Sequence, residues 1–238
     1  FQTSSEREIV TTTQSSLSVQ YTWVGSQGWS MIGDAVMQLV TVAQTKTCTF
    51  TAATSPTCQF ASNVPIKDVA VVGIATSVST TTVSSVTDGA GNTYTKILLD
   101  NVLSAVGDIE VWCSNVATAG TLTVTVNLGV SGTGVLTLYD VSNAAANCAT
   151  TGSDDSSGQN ALSTSPSVAS STPSTSGLEI GFLNSGCGVA CTVTAGGSYT
   201  LDNNVANVVQ ASSESIANSA TATTTPFTLS VASPWEEL

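Results

Sequence analysis

The 238-residue chain contains no histidine. That absence removes Ser-His-Asp and Cys-His nucleophile systems, most catalytic zinc sites and any imidazole pH switch. Basic residues are nearly as scarce: 4 Lys and Arg stand against 16 Asp and Glu, giving a formal charge of -12 and a pI near 4.1. Such a charge repels a nucleic-acid backbone and an anionic lipid surface, so nucleic-acid binding is excluded. Long apolar runs are also missing. The longest, VAVVGIA at residues 69–75, is far short of the ~18 residues a membrane helix needs, so no membrane span is expected. Aromatics make up only 5% of the chain, which leaves few platforms for stacking on sugar rings. None of the 13 asparagines begins an Asn-x-Ser/Thr triplet, and N-glycosylation through that sequon is therefore excluded. O-linked sugars on Ser and Thr remain open.

Hydroxyl residues take the place of charges. Ser and Thr fill 73 positions while charged residues make up 8%, so solubility rests on hydroxyls and backbone, a pattern common in extracellular β proteins. The chain begins at Phe1 and is read as an exported protein whose signal peptide has already been removed. Its six cysteines, Cys48, Cys58, Cys113, Cys148, Cys187 and Cys191, are even in number, which in an exported chain points to disulfides. The close spacings of Cys48 with Cys58 and Cys187 with Cys191 favour local staples and leave Cys113 for Cys148, although sequence alone does not fix the connectivity. A zinc site from the same residues lacks both histidine and a paired CxxC spacing.

Hydrophobic periodicity is close to two throughout. In GTLTVTVNL, Leu122, Val124, Val126 and Leu128 fall on one face, and Thr123, Thr125 and Asn127 on the other. The same alternation marks residues 16–24, 45–50, 178–182 and 226–231, and further strands are expected over 66–75, 92–99, 108–113, 135–141, 191–201 and 204–211. About a dozen short, β-branched strands separated by turn clusters such as TDGAGN (residues 87–92) predict an all-β fold, an immunoglobulin-like or jelly-roll β-sandwich. Residues 30–43 fit both a helical stripe and a strand, and the β-like flanks favour strand. The expected organisation is an extended N-terminal arm over 1–29 and a sandwich domain over 30–238, with a Ser/Thr-rich connection near 150–176.

Chemistry-bearing residues are few. Glycoside hydrolysis needs two carboxylates across a cleft, and Glu110, Glu179 and Glu214 are the candidates. Glu110 alternates with Ile109 and Val111, and Glu179 with Leu178 and Ile180, which reads as a solvent-side position for both. Trp23, Trp112 and Trp235 fall in strand patterns that suit packing, whereas Trp29 has no evident role. Asp88 with Asn92, and Asp154 with Asp155, offer oxygen atoms to a calcium ion, but neither segment matches an EF-hand, and Asp-Gly and Gly-Asn are ordinary turn residues. Lys46, Lys67 and Lys96 read as solvated lysines at strand edges rather than as isopeptide donors. No catalytic residue, metal or cofactor is expected.

The arm carries the strongest functional signal. Ile9 and Val10 form one apolar run, and Leu17, Val19, Tyr21 and Trp23 a second, alternating one, with TTTQSS near the join and no tight hairpin turn between them. Polar termini ordinarily fray. An extended arm that completes the sheet of the next copy would be fixed by backbone hydrogen bonds and by pockets for alternate side chains.

SSVTDGAGNTYTK (residues 84–96), DIEVWCSNV (108–116) and GTLTVTVNL (120–128) together resemble a β-sandwich module of secreted and surface proteins of bacteria and archaea. The whole layout is also similar to donor-strand filament subunits, the archaeal threads and the chaperone-usher pilins. That resemblance implies an extracellular, cell-surface filament subunit whose partners are copies of itself. A monomeric secreted adhesin or carbohydrate-binding module that meets surface glycans is the alternative.

Overall fold

A computed structural model describes residues 40–77, 81–100, 106–144, 148, 159–168, 177–187, 191–206, 210–219 and 225–238. The arm residues Ile9, Val10, Leu17, Val19, Tyr21 and Trp23 lie outside them, as do Trp29, Asp154 and Asp155. The described elements are all strands, and among the described residues there is no helix.

The first eight strands make one sandwich. Strands β1 (Thr41–Ala53), β8 (Gly132–Ser142), β3 (Val69–Thr76), β6 (Asp108–Asn115) and β5 (Thr95–Asp100) form an antiparallel sheet in that order. Opposite it lie β2 (Thr57–Gln59), β7 (Thr123–Leu128) and β4 (Val83–Asp88). Strand β7 shows why the sequence folds this way: Val124, Val126 and Leu128 are buried, while Thr123, Thr125 and Asn127 are half-exposed. Its apolar face meets Ala70, Val72, Ile74, Leu136 and Leu138 from the larger sheet. Full burial of one such side chain contributes ~1.5–3 kcal/mol.

A second sandwich follows. Strands β13 (Thr200–Ala206), β14 (Gln210–Ser219), β11 (Gly177–Ser185), β16 (Ser233–Glu237) and β9 (Gln159–Ser163) form a five-stranded sheet. A shorter layer of β10 (Ser167–Val168), β15 (Thr225–Leu229) and β12 (Val193–Ala195) covers it. Val168, Leu183, Val193, Phe227, Leu229 and Trp235 fill the space between them.

The two five-stranded sheets stack on each other. Ile109, Val111, Tyr139 and Val141 of the first sandwich pack against Phe182 and Leu238 of the second. The Tyr139 and Phe182 rings meet edge-on, with centroids 5.7 Å apart. Gly73 makes room for this contact, since a Cβ there would overlap the Phe182 ring. Strand β3 is therefore buried on both faces, which accounts for its unbroken apolar run.

Several expectations are corrected. The stretch read as a surface connection contains β9 and β10, whose short length and hydroxyl-rich composition hid them. The strand expected over 191–201 is two strands, parted at Gly196 and Gly197, the latter at φ +55°. The strand expected over 204–211 spans the end of β13 and the start of β14, on either side of residues 207–209. Strand β14 itself was hidden by Ser212, Ser213 and Ser215, which are buried instead of facing water.

The six cysteines form three disulfides, Cys48–Cys58, Cys113–Cys148 and Cys187–Cys191, with Cα separations of 5.6, 5.8 and 5.5 Å. The first joins β1 to β2, and the third links Cys187, just after β11, to Cys191, just before β12. No free cysteine remains.

Candidate functional site

Glu110 does not face solvent. It lies opposite Ile109 and Val111 on β6, as alternation requires, but that face looks into the first core and leaves it only 1% exposed. Its Oε1 accepts from the Val83 amide at 3.0 Å, and its Oε2 from Trp112 Nε1 at 2.8 Å. Lys96 Nζ completes the set 2.7 Å from Oε2. Lys96 is thus a structural counter-ion, a correction to its reading as a solvated edge residue. A buried carboxylate satisfied on both oxygens stabilises one packing arrangement and has no capacity left for a substrate.

Asp88 organises a turn. Its Oδ1 accepts from the amides of Ala90 (2.9 Å) and Asn92 (3.1 Å), and its Oδ2 from Asn92 Nδ2 (2.9 Å) and the Tyr94 hydroxyl (3.1 Å). Asn92 Oδ1 in turn takes the amides of Ala117 and Thr118, both at 2.9 Å. The turn after β4 is thereby tied to the loop between β6 and β7. Burial, then the Asp88 carboxylate, pushes the Tyr94 phenol upward.

A carboxyl pair sits where β3 begins. Asp68 and Asp140 are both buried. Asp140 Oδ2 accepts from Gln44 Nε2 at 3.0 Å, and Gln44 Oε1 holds the Ser62 amide at 3.0 Å. Burial first, then the charge of Asp140 and a hydrogen bond to it, pushes Asp68 up to about 6.

The second sandwich encloses more carboxyl groups. Register places Glu214 opposite Gly181 and Glu237 opposite Leu183, so both project with Leu183 into the interior, as does Glu179 two residues before Gly181. Glu179 alternates with Leu178 and Ile180 as expected, yet its face is the inside of the sandwich rather than solvent. Glu214 is fully buried, its Oε2 accepting from the Gly196 amide at 3.2 Å. Burial pushes it up to about 8; the Gly196 hydrogen bond opposes this, and the charges of Asp202 and Glu179 add to it. The Tyr199 phenol is raised by burial first, then by the neighbouring Glu179 carboxylate and the charges of Glu214 and Glu237. Across the seam, the Tyr139 hydroxyl lies 3.0 Å from Asp202 Oδ2 and 2.6 Å from Ser213 Oγ.

A cleft of about 320 Å3 opens beside this seam, lined by Thr41 and Val42 of β1, Leu178 of β11, Thr200 and Asp202 of β13, and Ser215, Ile216 and Ala217 of β14, with Ser198. Strands β1 and β13 are the outermost of their sheets among the described residues. An outer strand leaves a row of backbone amides and carbonyls open to a further strand.

Of the carboxylate candidates, Glu110 belongs to the first interior, apart from Glu179 and Glu214, which share the second. Among the described residues no group of three acidic or cysteine side chains is placed to hold a metal ion. The described tryptophans, Trp112 and Trp235, are both buried. Among the described residues no helix is long and apolar enough to cross a membrane.

Fold and side-chain chemistry define a disulfide-bonded, antiparallel double β-sandwich, acidic throughout and with polar groups sealed inside both cores. No protein-family model, curated protein or solved structure matches the chain.

Proposed function

We propose that the chain is a structural subunit of an extracellular filament that polymerises head to tail, each N-terminal arm supplying a strand to the next copy. The observation that carries this reading is the cleft lined by residues of β1 and β13, each the outermost strand of its sheet among the described residues. Val42, Leu178, Ile216 and Ala217 give it apolar lining, and the outer strands beside it offer backbone partners. An extended arm with alternating Leu17, Val19, Tyr21 and Trp23, or the Ile9-Val10 run, has the period that such an acceptor needs.

Three disulfides fit an oxidising compartment outside the cytoplasm. The alternative, a sugar-binding module, draws less support, because every described Trp and Phe side chain is buried and none forms an open stacking platform. Negative-stain electron microscopy of the native protein separates the two readings. Filaments of uniform width support assembly, and discrete particles at all concentrations contradict it.

A further inference from the structure

We propose that the second sandwich is proton-locked: it closes fully only while the buried carboxyl group of Glu214 carries a proton, and it loosens as the medium turns neutral to alkaline. The geometry starts from placement. Glu214 is completely shielded from solvent, and its Oε1 has no hydrogen-bond partner among the described residues. Around it stand Glu179 from β11, Asp202 from β13, Glu237 from β16 and the Tyr199 phenol from the turn before β13. The covering layer of β10, β12 and β15 contributes no titratable side chain.

The chain carries no Lys, Arg or His after Lys96. Among the described residues the one ion pair joins Lys96 to Glu110 in the other sandwich, and none is made by Glu179 or Glu214. Among the described residues the Gly196 amide is the one hydrogen-bond donor to Glu214, and a single peptide dipole does not offset the loss of hydration together with two neighbouring carboxylates. The glycine is required there, since a Cβ at 196 would overlap the Pro226 carbonyl.

The sign follows from linkage. Glu214 is raised from 4.5 to about 8, so between those values the folded protein holds a proton that the unfolded chain has released. Its stabilising contribution is complete below 4.5 and is lost as pH rises through 8. Asp202 also contacts Tyr139 across the seam, so ionisation of Glu214 beside Asp202 strains the contact between the two sandwiches as well.

The test uses the full chain, with thermal unfolding followed by circular dichroism from pH 5 to pH 8.5 for the wild type and for Glu214→Gln. The wild-type Tm is expected to fall by roughly 5–10 °C over that span, and Glu214→Gln to lose at least half of the fall. A wild-type Tm that is flat or rising, or a variant that keeps the full slope, overturns the proposal. Should Glu214→Gln fail to fold, carboxyl-carbon NMR of the wild type decides: a Glu214 midpoint near 8 supports the lock, and a midpoint below 5 refutes it.

Discussion

Lys96 Nζ stands 2.7 Å from Glu110 Oε2 and 5.3 Å from the centroid of the Trp112 ring. One cation therefore balances a buried carboxylate and caps the face of the aromatic that donates to the same carboxylate. Lys96→Met keeps much of the side-chain volume but strands the Glu110 charge. Breaking a fully buried pair costs ~3–5 kcal/mol, and because Lys96 is about one-third exposed, solvent screening lowers the expected cost to about 2–3 kcal/mol. Urea unfolding measures it. Adding Glu110→Gln to Lys96→Met is expected to recover part of the loss, because the uncompensated charge is then gone.

The Cys48–Cys58 bridge closes a loop at a sequence separation of 10 and ties the outer strand β1 to β2. Cys48→Ser with Cys58→Ser is expected to cost about 2–3 kcal/mol on a chain-entropy basis. Thiol labelling of the denatured, unreduced wild type is expected to find no reactive cysteine, and differential scanning calorimetry of the double variant gives the energetic loss.

Asp68 sets a second, weaker pH dependence in the first sandwich. Its pKa is raised from 3.8 to about 6, so its contribution is complete below 3.8 and is lost as pH rises through 6. Asp68→Asn removes the charge that meets Asp140 and is expected to unfold at a higher temperature than the wild type at pH 7, with the difference vanishing near pH 4. Tm values for both proteins at these two pH values check it.

Alternation along the chain reveals which residues share a face, but not whether that face is wet. Leu122, Val124, Val126 and Leu128 could be assigned to a core because their partners on β7 are Thr and Asn. Glu110 and Glu179 were placed correctly opposite their apolar neighbours, yet the opposite faces are the two sandwich interiors. The stacking that buries both faces of β3 depends on contacts between residues such as Gly73 and Phe182, more than a hundred positions apart, which no local pattern encodes. Strand β14 was illegible for the same reason: Ser212, Ser213 and Ser215 are buried by tertiary partners, against their usual preference for water. The turn at Asp88 and Asn92 and the two closely spaced cysteine pairs were suggested by the sequence, since turn chemistry and short loop spacing are local properties, whereas Cys113–Cys148 was left only as the remainder.

Assembly by the arm is tested most directly by removing residues 1–13 and examining the product by electron microscopy and circular dichroism. In the proposed assembly a donated Ile9 or Val10 side chain would contribute ~1.5–3 kcal/mol when fully buried, and a run of main-chain hydrogen bonds would add to it. The account predicts a truncated chain with an unchanged β spectrum that stays as discrete particles where the full chain forms filaments. Filaments of normal length from the truncated chain, with the same spectrum, contradict strand donation by this segment.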